Sequence, residues 1–109
     1  MSYTLVVAIR IIGSAFWHSV TEEEIREVVE YPLVRYRGSS RKWPNAVIYR
    51  YIGDPSVVIE ALAEEVGDDI VVFHAMVLTM RVAEECFVHS GETHDYRGSV
   101  AAQREYQGP

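Results

Sequence analysis

Between Thr21 and Pro32 the sequence frames one short helix and leaves it no room to lengthen. Thr21 with Glu24 three residues on makes a capping box, Val20 and Ile25 are spaced for a hydrophobic staple, and Glu22, Glu23 and Glu24 favour a helix N-terminus. Tyr31 precedes Pro32, and the residue before a proline is pushed out of the helical region. The frame predicts a helix over 22–30 whose apolar face is Ile25, Val28 and Val29.

The segments around it read mostly as strands. Residues 4–12 are rich in β-branched side chains, end at Gly13-Ser14, and carry apolar residues on both faces, which predicts a covered, central strand. Residues 14–19 read as one or two helical turns. Residues 33–37 alternate, with Leu33, Arg35 and Arg37 on one side and Val34 and Tyr36 on the other. A polar loop holding Arg41, Lys42 and Trp43 leads to a second strand, 46–52, which Gly53-Asp54-Pro55 breaks. Residues 70–74 form a further strand, and 79–86 a helix with Val82 and Cys86 inward. Residues 56–66 fit two assignments. Asp54 as N-cap, Pro55 and Gly67 frame a helix, and these local signals favour it. Alternation of Val57, Ile59, Ala61 and Ala63 also allows a strand. The order of elements gives an α+β domain with a mainly antiparallel sheet.

At 109 residues, 49% hydrophobic and 24% charged, the chain is one globular domain, which excludes wholesale disorder. The expected division is a domain over 1–86 and a polar, flexible tail over 87–109. The apolar run 5–12 is interrupted by Arg10 and too short for a bilayer, and no basic leader precedes it, so neither a membrane segment nor a signal peptide is expected. The single Cys86 excludes an internal disulfide framework and a thiolate zinc cage. The expected location is the cytoplasm. No glycine-rich phosphate loop, nucleophile elbow or zinc motif is present, and His89, Glu92, His94 and Asp95 match no established ligand spacing. No metal or cofactor is expected.

Charge is unevenly spread. The net charge is −6, yet from Tyr31 to Gly53 there are five basic residues, Arg35, Arg37, Arg41, Lys42 and Arg50, and no acid. Arginine supplies nine of the ten cations, and its fork suits bidentate contact with phosphate or carboxylate. A cationic middle with acidic flanks is a hint of an anionic partner, although charge alone favours the plainer reading of a solvated pair of edge strands.

Two stretches carry a resemblance. Trp17-His18-Ser19-Val20-Thr21-Glu22-Glu23-Glu24-Ile25, followed by Val29-Glu30-Tyr31-Pro32-Leu33, resembles the lysine-histidine-glycine-valine to aspartate-proline-leucine stretch of BrnT-type toxins. Val71-Val72-Phe73-His74-Ala75-Met76 is similar to a late strand of BrnT-like proteins with a histidine-alanine-methionine triplet. Both belong to the RelE-like ribonuclease toxins of type II toxin–antitoxin pairs. The resemblance covers roughly residues 9–82. It implies a strand at 56–66, which is adopted over the local helix frame because tertiary context overrides propensity, and a four- to five-stranded sheet with an N-terminal helix pair on one face and a C-terminal helix. It further implies an endoribonuclease neutralised by a small antitoxin, as a homodimer or a toxin–antitoxin hetero-oligomer. The chain departs from the pattern at Trp17, where BrnT has lysine, at Ser19, where it has glycine, and at Met76, near whose place the last strand of BrnT carries an arginine.

Metal-free RNA cleavage needs a base for the 2′-hydroxyl, an acid for the leaving oxygen, and cations for the phosphoryl oxygens. His18 and His74 are the proton-transfer candidates, with Arg50 as a catalytic cation. Arg35, Arg37, Arg41 and Lys42 are expected to bind RNA, with Trp43 and Tyr51 stacking on bases. Strand alternation puts His74 on the face of Val72 and Ile70, either bonded internally or, as the toxin reading requires, exposed at the sheet edge facing Arg35 and Arg37. Each residue also has a structural explanation: a backbone bond at the helix start for His18, a satisfied core position for His74, and edge protection for Arg35 and Arg37. The competing function is an interaction module that docks an acidic protein through its sheet and the 35–50 segment. A binder of small phosphates or carboxylates ranks third.

Overall fold

The computed structural model describes residues 8–109, and at its centre lies one five-stranded mixed sheet. β1 (Ala8–Ile11) leads through a 3₁₀ turn (Gly13–Phe16) to α1 (Glu22–Glu30). Then come β2 (Val34–Arg37), β3 (Ile48–Gly53), β4 (Ile59–Val66), β5 (Asp69–Val77), α2 (Met80–His89) and a last 3₁₀ turn, Arg97–Ser99. The strand order is β1-β5-β4-β3-β2, with β1 parallel to β5 and the other three pairs antiparallel. The class is α+β.

α1 has the predicted bounds because both halves of its capping box form. Glu24 N–H donates to Thr21 Oγ1 at 3.2 Å, and Thr21 N–H donates to Glu24 Oε1 at 3.0 Å. Its buried face is Ile25, Val28 and Val29, packed on Tyr51, Ile59, Ala61, Ala63, Val72, Ala75 and Val77. Each fully buried Ile or Val among them contributes roughly 1.5–3 kcal/mol by leaving water. Gly53 lets the helix come close, since a Cβ there would lie 3.1 Å from the Val28 backbone. α2 covers the other face. Its Val82, Ala83 and Cys86 pack with Ile52, Val58 and Leu78, and Val34 and Tyr36 of β2 join them.

Residues 59–66 are a strand, as the resemblance implies and against the local helix frame; Asp54 and Pro55 turn the chain, and ladders to β3 and β5 satisfy β4 on both sides. Three expectations need correction. β1 is an edge strand, not a central one. Its second apolar side continues into Ile12, which walls an open cleft instead of a core; residues 4–7 lie outside the described residues. The tail beyond residue 86 is not loose. α2 runs on to His89, Tyr96 and Val100 pack on the α2 core, the Gln103 amide donates to the Val77 carbonyl at 2.7 Å, and Arg104 grips Glu24 at 2.6 and 2.9 Å. Polar anchors hold it, so the hydrophobic pattern does not reveal them.

The third concerns the face of His74. The β4–β5 register slips between Leu62 and Ala63, so that Leu62 pairs with His74 while Ala63 pairs with Val72. Phe73 is the extra residue of a β-bulge. Val72 and Ala75 both enter the α1 core, and His74 turns to the opposite face. Bulges re-aim side chains in this way, frequently beside functional sites.

Candidate functional site

The bulge puts His74 in a cross-strand row with Leu62 and Arg50, on the sheet face that α2 only partly covers. The 3₁₀ turn is fastened to the bulge, because Ser14 Oγ donates to the Phe73 carbonyl at 2.6 Å. That contact carries Trp17 and His18 to the same place. The His18 and His74 rings meet edge to face with centroids 5.4 Å apart, and Tyr106 from the C-terminal segment lies 5.2 Å from His18. Ser14, Trp17, Arg50, Leu62, His74 and Arg81 surround a depression of about 400 Å³.

Beneath the depression is a buried polar network centred on Glu60, which is 1% exposed. Its Oε2 accepts from the Thr79 N–H at 2.9 Å and the Thr79 hydroxyl at 2.8 Å. Its Oε1 accepts from Arg50 Nη1 at 3.4 Å and lies 3.7 Å from His74 Nε2, a charge contact longer than a formed hydrogen bond. Arg50 Nε donates to Glu85 Oε1 at 3.2 Å, which also accepts the Tyr36 hydroxyl at 2.9 Å, and Arg81 approaches Glu85 Oε2 at 3.7 Å. Burial pushes the Glu60 carboxyl up, but the His74 ring, the Thr79 donors and the Arg50 charge outweigh it and hold it below the ordinary range. Burial, then the facing His74, lower the His18 imidazole against the pull of Glu60. Burial and the bond to Glu85 raise the Tyr36 phenol.

The structure sorts the candidates into two groups. His18, His74 and Arg50 converge, and Lys42 and Trp43 line an adjoining cleft on the same face. Arg35 and Arg37 lie on the α1 side instead, across from Tyr51 and Tyr49, so His74 does not face them. The Arg35 guanidinium sits 3.6 Å from the Tyr49 centroid and bridges to Glu65 at 2.6 Å. Tyr51 is 2% exposed in the α1 core, and no base can stack on it. Arg41 is exposed in the loop before β3. Arg50 is 7% exposed, so it props the site more than it reaches outward.

Glu60, Glu85 and Arg81 escaped the sequence reading. Glu60 carried a signal, as the lone acid between Val57 and Ala63, and Arg81 stands four residues before Glu85 on α2. Among the described residues no three His, Cys, Asp or Glu side chains cluster as metal ligands. His89 stacks on Tyr36, and His94 on the neighbouring turn meets Thr93. No described helix is long and apolar enough to cross a membrane. No family model, curated protein or solved structure matches the chain. What the fold and site define is an α+β protein in which His74 of the sheet meets His18 of the turn segment beside the exposed Arg81 of α2, over a buried carboxylate network.

Proposed function

We propose that the chain is a toxin-type endoribonuclease that cleaves RNA by proton transfer between histidines and is held in check by a small antitoxin protein. One observation carries this reading: His74 lines an open depression with Arg50 and Arg81, and the His18 ring meets the His74 ring at 5.4 Å. His18, kept neutral by burial and by its histidine neighbour, takes the proton of the 2′-hydroxyl. The 2′-oxygen attacks the adjacent phosphorus, and His74 protonates the departing 5′-oxygen, leaving a 2′,3′-cyclic phosphate and a free 5′-hydroxyl. Glu60 places a negative charge 3.7 Å from the His74 ring. Arg81, its side chain 74% exposed, reaches the phosphoryl oxygens, while Arg50 adds positive charge from behind but is already shared by two carboxylates. The toxin assignment follows the resemblance, and Ser19 supports it. It takes φ 59°, a left-handed conformation suited to the glycine of the resembled stretch.

The test is incubation of the purified chain with end-labelled single-stranded RNA in chelator. Cyclic-phosphate products should form, and His74→Ala and His18→Ala should each slow cleavage about 10²–10⁴-fold while remaining folded. A lowered His18 is deprotonated from a lower pH upward, so the acid limb of the rate profile should fall below pH 6.5. Induced expression should arrest growth, and the His74→Ala chain should not. RNA that stays intact and growth that stays normal would instead favour the interaction module, with the same open face as its docking surface.

A further inference from the structure

The cleft beside the histidines has walls that suit a nucleobase. It measures about 540 Å³, with Ile12, Trp43, Ile48 and Phe73 as apolar walls and Asn45 and Glu64 as polar groups. Phe73, the bulged residue, borders both this cleft and the histidine depression. Ile48 pairs with Glu64, and Arg50 with Leu62, so the two rows lie two residues apart on one face. That is about 6.6 Å along a strand, within the span of one nucleotide from phosphate to base. Trp43 is 56% exposed, with Lys42 Nζ 4.7 Å from its ring, so a stacking surface and a cation stand together at the rim.

We propose that this cleft is a base-reading subsite that takes an unpaired guanine of the RNA; it rests on reading the adjoining depression as the cleavage site. Glu64 decides the choice of base. It lies between Ile48 and Val71 on the cleft floor, and no side-chain hydrogen bond or ion pair engages its carboxylate among the described residues. An ionised carboxylate offers acceptors only. Guanine alone presents two adjacent donors, N1–H and the N2 amino group, on its Watson–Crick edge. Adenine and cytosine present one amino group beside an acceptor, and uracil one imino group between two carbonyls. A guanine lying against Trp43 therefore satisfies both Glu64 oxygens, and the Asn45 amide is placed at the cleft to donate to O6.

The experiment is a tryptophan-fluorescence titration of the full chain with guanosine, adenosine, cytidine and uridine 3′-monophosphates at fixed salt, run beside the cleavage assay. Guanosine monophosphate should bind about ten-fold or more tighter than the others, the discrimination expected of one good bidentate pair. Glu64→Gln and Glu64→Ala should erase the preference, and Trp43→Ala should weaken all four. Guanine preference without RNA cleavage would leave the subsite standing and remove the nuclease. Histidine-dependent cleavage with four equal affinities, untouched by either Glu64 variant, would overturn the subsite and leave the nuclease. Failure of every nucleotide to bind overturns the subsite as well.

Discussion

Arg35 and Arg50 stand on neighbouring strands and lead opposite lives. Arg35, on β2, lies over the Tyr49 ring and pairs with Glu65 at a water-exposed rim. Arg50, on β3, is buried between Glu60 and Glu85. The difference is the face each points to. On the α1 side, helix and sheet meet in a closed apolar core, and the arginines only shield its edge. On the other side, α2 covers the Ile52 end and leaves the His74 end and the Trp43 cleft open. A closed face can be finished with apolar side chains alone. An open one that carries charge has to be built from beneath, and Glu60 is that support.

The largest effect expected from breaking this contrast is Glu60→Ala. The substitution strands Arg50 next to Glu85 alone and removes the acceptor of two Thr79 donors at the start of α2. Removing one partner of a buried pair typically costs about 3–5 kcal/mol. Chemical denaturation should show a loss of that order, and Glu60→Gln, which keeps an acceptor, should lose less. A Glu60→Ala protein as stable as the parent would mean that the buried network is no foundation for the open face.

Arg104 joins the two layers, because the segment that crosses the His18 side of the molecule ends in its grip on α1. Its hydrogen bonds, with those from Thr21 and Ser56, hold the Glu24 carboxyl near a pKa of about 2 against the opposing effect of burial. A depressed carboxylate adds stability above its unfolded pKa of about 4.5 and loses it as pH falls toward 2. Arg104→Ala should therefore cost about 1 kcal/mol at neutral pH, discounted for exposure. Melts across the acid range should show that gap closing between pH 4.5 and 2. A gap independent of pH would mean that Arg104 acts through packing.

Much of the α1 layer was legible beforehand because its signals are local. The capping box, the proline stop and the Ile25-Val28-Val29 spacing each lie within a few residues and lead to the same helix. Tyr49 and Tyr51 against Arg50 likewise followed from simple alternation. The open face was less legible. His18 and His74 were candidates, but their meeting depends on one extra residue at Phe73, and a bulge reverses every inference made from period two. Local capping at Asp54 and Pro55 favoured a helix because it could not see the strands on either side of β4. The polar anchors at Gln103 and Arg104 are equally invisible to a search for apolar periodicity.

The smallest expected effect belongs to the double variant Arg35→Ala, Arg37→Ala, and it tests the comparison most directly. If the basic middle of the chain were one RNA-binding surface, removing two phosphate contacts from a single strand would lower the log–log salt slope by about 0.7 for each. The structure separates that middle into two faces, with Lys42 and Trp43 beside the histidines and Arg35 and Arg37 behind them. If RNA follows the open face from Trp43 to His18, as proposed, it has no path to Arg35. Arg35 is also already engaged, by the Tyr49 ring and by Glu65, in a pair whose side chains are 40% and 39% exposed. Such surface pairs contribute between about 0 and 1 kcal/mol. The double variant should therefore stay within about 1 kcal/mol of the parent in stability, and its RNA affinity and salt slope should not move. A slope lowered by about 1.4 would place RNA on the β2 edge, on the side of the sheet opposite the histidines.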